Sequence, residues 1–267
     1  MEKIRVFITG ACGKMGAETV KTVLKQDDME LVGVSDVKNL NEDIGNVLGR
    51  SPIGIKVVNS ISEKIVEKLR VEILVDFTNP QSVFANAKLA IKCGVVPVIG
   101  ATGLDEHEIA ELEEMANEHN VGVFIAPNFA IGAILMMKFA RESAKYFKNV
   151  DIIEYHHNQK LDAPSGTALK TAEIISEVRS PMIQGHPNEY EKIPGARGGD
   201  VNGIHIHSVR LPGMLAHQEV LFGGSGQTLT IRHDAYSRET FMPGVMLAIR
   251  KSYKLKGLVV GLDKFLD

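Results

Sequence analysis

Hydrophobic and polar positions follow two alternating rhythms through the first half of the chain. Short β-branched apolar runs occur at "KIRVFITG" (3–10), "LVGVSD" (31–36), "VEILVDFT" (71–78), "VVPVIGAT" (95–102) and "VGVFIAPN" (121–128). Between them the apolar residues fall at helical spacing. Val20, Val23 and Leu24 share a face after the first run, "SEKIVEKL" (62–69) precedes the third, and Val83, Ala87 and Ala90 align after it. The segment "DEHEIAELEEMANEHN" (105–120) crowds acids into its first turn, where the helix dipole favours them. Strands alternating with amphipathic helices predict βαβ units and a doubly wound parallel sheet over roughly residues 1–128.

The rhythm then changes. A long apolar helix is expected at "AIGAILMMKFARESAKYF" (130–147), followed by a strand at "VDIIEYHH" (150–157) and a helix beginning near Ser165. A Pro/Gly-rich stretch (180–203) leads into the β-patterned segments "GIHIHSVRL" (203–211), "HQEVLF" (217–222) and "QTLTIRHDA" (227–235). These imply an α+β domain with a mixed or antiparallel sheet. The closing helix "FMPGVMLAIRKSY" (241–253) is placed to return to the first domain. The expected organisation is therefore a domain of residues 1–128 plus 240–267 and a second domain of residues 129–239.

Composition narrows the function classes. A net charge of −3 over 267 residues suggests no polyanion partner, so no nucleic acid is expected. No apolar run approaches the roughly 20 residues needed to span a bilayer, and the first residues enter a strand pattern without a signal-peptide h-region. The two cysteines, Cys12 and Cys93, are too few for a disulfide framework and fit a reducing compartment. The expectation is a cytoplasmic protein with no membrane partner.

The first chemical motif is "TGACGKMG", with glycines at 10, 13 and 16, at a strand-to-helix junction. Glycine permits the tight turn and lets a pyrophosphate approach the backbone, while the helix start supplies N–H donors. Asp36 ends the second strand about 20 residues past Gly16, where an acid accepts bonds from an adenosine ribose. Lys38 lies close enough to meet a 2′-phosphate, so NADH and NADPH both stay open. The segments "GATG" (100–103) and "APNF" (126–129) end later strands at the edge where open α/β sheets bind ligands. Gly100, Ala101, Thr102 and Asn128 are thus expected on the nicotinamide side of a dinucleotide crevice.

The most concentrated chemistry lies in "EYHHNQKLDAPSGTA" (154–168). Adjacent strand residues point to opposite faces, so His156 and His157 do not chelate one ion, and Lys160 would repel it; no metal is expected. In a nicotinamide enzyme, His156 or Lys160 would supply the proton that accompanies hydride addition. Ser165, Gly166 and Thr167 open a helix with hydroxyls and free N–H groups, an anion cradle suited to a carboxylate. Simple N-capping by Ser165 is compatible with that role. The segment reads as a site for an anionic, reducible small molecule. Arg197 and Arg238 are further candidate anion contacts, more readily taken as structural. The competing classes are another nicotinamide-dependent dehydrogenase of amino-acid metabolism and a non-enzymatic dinucleotide sensor. An acylating dehydrogenase needs an activated cysteine that neither Cys12 nor Cys93 is placed to supply, and a sensor leaves His156 and Lys160 without a task.

With "TGACGKMG", "GATG", "APNF" and above all "HHNQKLDAPSGTA", the chain resembles the 4-hydroxy-tetrahydrodipicolinate (dihydrodipicolinate) reductase family from end to end. The resemblance implies a Rossmann-type α/β domain with a second α+β substrate-binding domain, and an NAD(P)H-dependent reduction of a cyclic imine dicarboxylate in lysine and diaminopimelate biosynthesis. It also implies a homotetramer built through the substrate-domain sheets. By position, His156 and Lys160 match the family's proton-transfer residues. His157, Gly166 and Thr167 match its substrate contacts, with Ser165 opening the same helix. Gly10, Ala11, Cys12, Gly13, Lys14, Met15, Asp36, Gly100, Ala101, Thr102, Ala126, Pro127, Asn128 and Phe129 match its cofactor contacts. Lys14 stands where the family often has arginine, and Val37 rather than a basic residue follows Asp36, which leaves the choice between NADH and NADPH open.

Overall fold

The computed structural model describes residues 2–266. The chain divides into two compact units, one running to Ala130 and resuming at Phe241, the other Ile131–Thr240.

The first unit opens with β1 (Ile4–Thr9), α1 (Lys14–Val23), β2 (Met29–Ser35), a single turn α2 (Ile44–Val47) and the short β3 (Val57–Val58). It continues through α3 (Glu63–Leu69), β4 (Ile73–Asp76), α4 (Pro80–Lys92), β5 (Val96–Ile99), α5 (Glu106–His119) and β6 (Gly122–Ile125). The second unit comprises α6 (Ile131–Ser143), β7 (Asn149–His156), α7 (Gly166–Ser176), β8 (Gly199–Val201), β9 (Ile204–Arg210), β10 (Ala216–Gly224) and β11 (Gln227–Ala235). The chain then adds α8 (Met242–Ser252) and β12 (Gly257–Val260) to the first unit.

The first sheet runs β12-β6-β5-β4-β1-β2-β3, and its pairings are parallel throughout. Every residue of β4, β5 and β6 is buried, which is why these strands read as continuous apolar runs rather than as alternations. Helix starts follow local chemistry. Asn79 caps α4 by accepting from the Gln81 backbone, with Pro80 at the first helical position. Asp105 and Glu108 form a reciprocal capping box at the start of α5. Strand β12 is an addition to the sequence expectation, which gave this end only a helix. Its four residues are too few to carry a period, and its identity comes from pairing with β6.

The second sheet runs β11-β10-β7-β9-β8; β7 and β9 are parallel and the other pairs antiparallel. Helices α6 and α7 cover one face, where Met136, Ala140 and Ile175 pack with Ile152, Ile206 and Phe222. Each such fully buried aliphatic or aromatic side chain contributes roughly 1.5–3 kcal/mol by leaving water. Along β7 the inward positions are Val150, Ile152 and Glu154, while Asp151, Ile153 and Tyr155 are half-buried on the other face. An acid thus occupies a core position of this strand. Among the described residues no helix is long and apolar enough to cross a membrane.

Candidate active site

In the first unit, parallel pairing sends the loops after β1, β2, β4, β5 and β6 out from one edge of the sheet. The strand order reverses between β1 and β4, the position where open α/β sheets form their ligand crevice. The glycine loop lies there. Gly10 has φ +73°, and a Cβ on it would stand 2.5 Å from the Phe77 carbonyl oxygen. A Cβ on Gly16 would stand 2.0 Å from the Gly10 carbonyl oxygen, so helix and loop approach too closely for any side chain. Gly13 takes the N-cap position of α1 without a side-chain cap, and no acid enters the first turn. The backbone N–H groups of Lys14, Met15 and Gly16 have no acceptor among the described residues. This is the donor arrangement a dinucleotide pyrophosphate fits.

The other residues expected to contact a dinucleotide gather at this edge. The Ala11 and Gly10 amides donate to the Ser35 carbonyl at 3.1 and 2.9 Å. Asp36 accepts from the backbone N–H groups of Cys12 and Lys38, each at 2.9 Å, tying the β2 loop to the glycine loop. Burial pushes the Cys12 thiol above its ordinary pKa, with Asp36 adding to the effect and Asn39 opposing it, so the thiol is not an activated nucleophile. Gly100 and Ala101 donate to the Asp76 carbonyl at 2.9 and 3.1 Å, and Thr102 follows them, exposed. Ala126 donates to Ile99 at 3.0 Å and Asn128 accepts from Ala130 at 2.9 Å, with the exposed Pro127 between them. The Phe129 ring is a core group, edge-on to Phe77 at 5.9 Å. One organiser of this edge was missed from the sequence. Asp76, 1% exposed at the end of β4, accepts from the Thr78 amide at 2.8 Å and from Asn86 at 2.8 Å.

In the second unit, His156 is the last residue of β7 and His157 the first beyond it. A turn closed by the Lys160 amide donating to the His157 carbonyl at 3.1 Å follows, and the Lys160 ammonium sits 2.6 Å from Asp162. Lys160 in turn holds the Asp162 carboxyl below its ordinary pKa. Ala163 and Pro164 are joined by a cis peptide, after which Ser165 caps α7, its hydroxyl accepting from the Ala168 amide at 3.2 Å. Gly166 and Thr167 are the next helical positions, and their N–H groups have no acceptor among the described residues. A Cβ on Gly166 would meet nothing within 4 Å.

Two residues behind this loop escaped sequence reasoning: Glu154 and Arg210. The Glu154 carboxylate accepts from His156 Nδ1 at 2.5 Å, from two Arg210 nitrogens at 2.7 and 2.8 Å, and from the Ser165 amide at 3.2 Å. Arg210 also donates to the Asp162 carbonyl at 2.9 Å. Burial alone would raise the Glu154 pKa; hydrogen bonds from His156, Arg210 and Ser208 overcome it and hold the group at about 2. The signal in the sequence was Glu154 at an inward position of an otherwise apolar alternation. Arg197 is engaged by Asp151 at 3.8 Å and Glu189 at 3.6 Å, and Arg238 makes no ion pair among the described residues. The structure thus assembles a fixed imidazole, a lysine and a helix start with open N–H groups on one short stretch of chain.

Comparison with known proteins agrees in both units. The family model described as dihydrodipicolinate reductase, N-terminus, matches residues 4–129, and that described as dihydrodipicolinate reductase, C-terminus, matches residues 132–266. A 4-hydroxy-tetrahydrodipicolinate reductase of Desulfitobacterium hafniense is 64% identical over 267 residues, the full length of both chains. The reductase of Syntrophomonas wolfei is 53% identical over 99% of each chain. Among solved structures, a dipicolinate-bound dihydrodipicolinate reductase from Paenisporosarcina sp. TG-14 matches with TM-score 0.87 at 48% identity, covering 98% of this chain and 99% of that one. An amine dehydrogenase from Mycobacterium smegmatis, at TM-score 0.69 and 13% identity, shares the fold alone. Both units and the whole length of the chain therefore lead to one assignment: the chain belongs to the dihydrodipicolinate reductase family.

Proposed function

We propose a division of labour between the two units for the activity that goes with this family, the reduction of 4-hydroxy-tetrahydrodipicolinate to tetrahydrodipicolinate in lysine and diaminopimelate biosynthesis. The chain is an oxidoreductase. The 4-hydroxyl leaves as water with a hydrogen of an adjoining ring carbon, and one hydride and one proton are added to the substrate ring. The first unit holds NADH or NADPH. Gly10, Ala11, Cys12, Gly13, Lys14 and Met15 surround the pyrophosphate, Asp36 takes the adenosine ribose, and residues 100–102 and 126–129 serve the nicotinamide side. The bound dinucleotide supplies the hydride. Open N–H donors at α1 and a hydrogen-bonded Asp36 at the same sheet edge support this assignment. Asp36 disfavours a 2′-phosphate while Lys14 and Lys38 attract one, so both cofactors are used.

The second unit holds the substrate. His157, Ser165, Gly166 and Thr167 take its carboxylates, and His156 or Lys160 supplies the proton. The observation that carries this reading is the cluster around Glu154, which fixes His156 and the start of α7 to one carboxylate. The dipicolinate named in the Paenisporosarcina structure is a planar dicarboxylate of the class this helix start suits. The sheet face opposite α6 and α7 carries Ile153, Val209 and Leu221, all half-buried, and its partner is the same face of further copies, in a homotetramer. The free thiols fit a cytoplasmic place of work.

The test couples the protein to a dihydrodipicolinate synthase supplied with pyruvate and aspartate semialdehyde, following loss of NADH and NADPH separately. Oxidation of both cofactors that requires both proteins is expected. His156→Ala and Lys160→Ala, assayed the same way, should lower turnover by ~10²–10⁴ if each acts in proton delivery. No oxidation with either cofactor, from a folded protein that binds dinucleotide, overturns the substrate assignment. Unchanged turnover in both variants overturns the proton-donor assignment.

A further inference from the structure

Glu154 anchors His156 and the start of α7, and what that anchoring does to the imidazole is the step the proposed reaction leaves unspecified. The Glu154 side chain is 0% exposed, on the face of β7 where Val150 and Ile152 pack into the core. Both oxygens are used. Oε2 accepts from His156 Nδ1 and from one Arg210 nitrogen; Oε1 accepts from the other Arg210 nitrogen and from the Ser165 amide. A buried ion pair is weak evidence of stabilisation, because desolvating two charges offsets their attraction. A pair with Arg210 alone would satisfy the carboxylate. This one also reaches an imidazole on its own strand and the first residue of the helix proposed to bind the substrate's carboxylates.

The protonation chemistry then follows. A carboxylate held this strongly in its charged form only accepts hydrogen bonds, so the proton between Glu154 and His156 resides on Nδ1. Nε2 is left as the nitrogen that takes up a proton to form the imidazolium, whose charge Glu154 balances, and passes that proton to the substrate. We infer that Glu154 is a positioning residue for the reduction: it sets the His156 tautomer with Nδ1 protonated and ties that ring to the carboxylate-binding start of α7. The inference rests on the proposed role of His156 and specifies which nitrogen performs it and what holds it there. Arg210 completes the arrangement by neutralising Glu154 and, through the Asp162 carbonyl, by holding the loop that carries Lys160.

The test is Glu154→Gln, read in two ways. The amide offers one oxygen. An NH2 in place of Oε1 would oppose two obligate donors, an Arg210 nitrogen and the Ser165 amide. In place of Oε2 it opposes one Arg210 nitrogen and meets His156 Nδ1, which can accept. The NH2 therefore faces His156 Nδ1, which must accept, and the ring proton moves to Nε2. In protein labelled with ¹⁵N histidine, the ring-nitrogen shifts of neutral His156 should report protonation at Nδ1 in the wild type and at Nε2 in the variant. In the assay, kcat of Glu154→Gln should fall about 10²-fold, the lower end of what a positioned acid is worth, with KM within about threefold. Placed in His156→Ala, the same substitution should change kcat by less than about twofold, because residues acting through one another are not additive. A neutral wild-type ring protonated at Nε2 overturns the inference, and this measurement requires no variant to fold. Equal losses of kcat in both backgrounds also overturn it, since they describe a residue that only supports the fold. If His156→Ala alone leaves kcat unchanged, the proton-donor reading of His156 fails, and the ring-nitrogen shifts still decide whether Glu154 sets the tautomer.

Discussion

Helices α1 and α7 both begin without an acid in the first turn and both leave backbone N–H groups open to an anion, but they reach that state by different routes. At α1 the constraint is backbone packing. Gly13 brings no side-chain cap, Gly10 adopts a positive φ, and Gly16 has no room for a methyl group. At α7 the constraint is hydrogen bonding. Ser165 caps the helix, its amide is anchored to Glu154, and space beside Gly166 is open. The first start tolerates no change of shape; the second depends on its polar partners. That difference predicts which substitutions abolish folding of a site and which alter only its chemistry.

The largest effect is expected at Gly16. Gly16→Ala places a methyl group where the Gly10 carbonyl oxygen lies 2.0 Å away, and that oxygen is backbone, which cannot swing aside. Overpacking of this kind costs roughly 3 kcal/mol, and the displaced loop should lower dinucleotide affinity by at least about tenfold. Denaturant unfolding and cofactor titration check both. A variant with wild-type stability and affinity would show that α1 is not the shape-limited start.

At α7 the corresponding perturbation is acid. The Glu154 pKa lies at about 2 in the folded chain against an ordinary 4.5. A lowered folded-state pKa contributes stability that is present above pH 4.5 and lost as the pH falls toward 2. The group is fully buried, and the shift corresponds to about 3 kcal/mol, to order of magnitude. Glu154→Gln should therefore unfold less steeply than wild type between about pH 5 and pH 2, the window set by the two pKa values. Parallel acid limbs for the two proteins would remove Glu154 from the account of this start.

The same contrast explains what the sequence made legible. Parallel strands buried on both faces read as apolar runs, so β1, β2, β4, β5 and β6 were plain, while the two-residue β3 and the single turn α2 were not, and glycine spacing with Asp36 marked the sheet edge. Strand β12 was not visible, because four residues carry no period. In the second unit the residue types of His156, Lys160 and Ser165 announced chemistry, but Arg210 did not. It lies 56 residues from Glu154 in the chain. Only the parallel register of β7 with β9, which sets His156 beside Arg210, brings the two together. A sequence displays which residues are polar; it does not display which strands pair. The residue that organises the α7 site was therefore readable only as an acid in an apolar alternation.

The smallest effect sharpens the comparison most, because it separates fold from ligand. Gly166 is the first residue of α7, its φ is not positive, and a Cβ there meets nothing within 4 Å. Gly166→Ala should leave stability unchanged or raise it by about 0.5–1 kcal/mol, since alanine is the better helix former and restricts the unfolded chain. Any loss of function then reports the ligand. If a substrate carboxylate sits against the Gly166 and Thr167 N–H groups, the added methyl group occupies part of its space. Affinity for dipicolinate should then fall about tenfold, or about 1.4 kcal/mol. Calorimetric titration of dipicolinate beside a melting curve decides it. Unchanged affinity in a stably folded variant would mean that the open N–H groups of α7 face no carboxylate, and that the likeness between the two helix starts stops at their backbones.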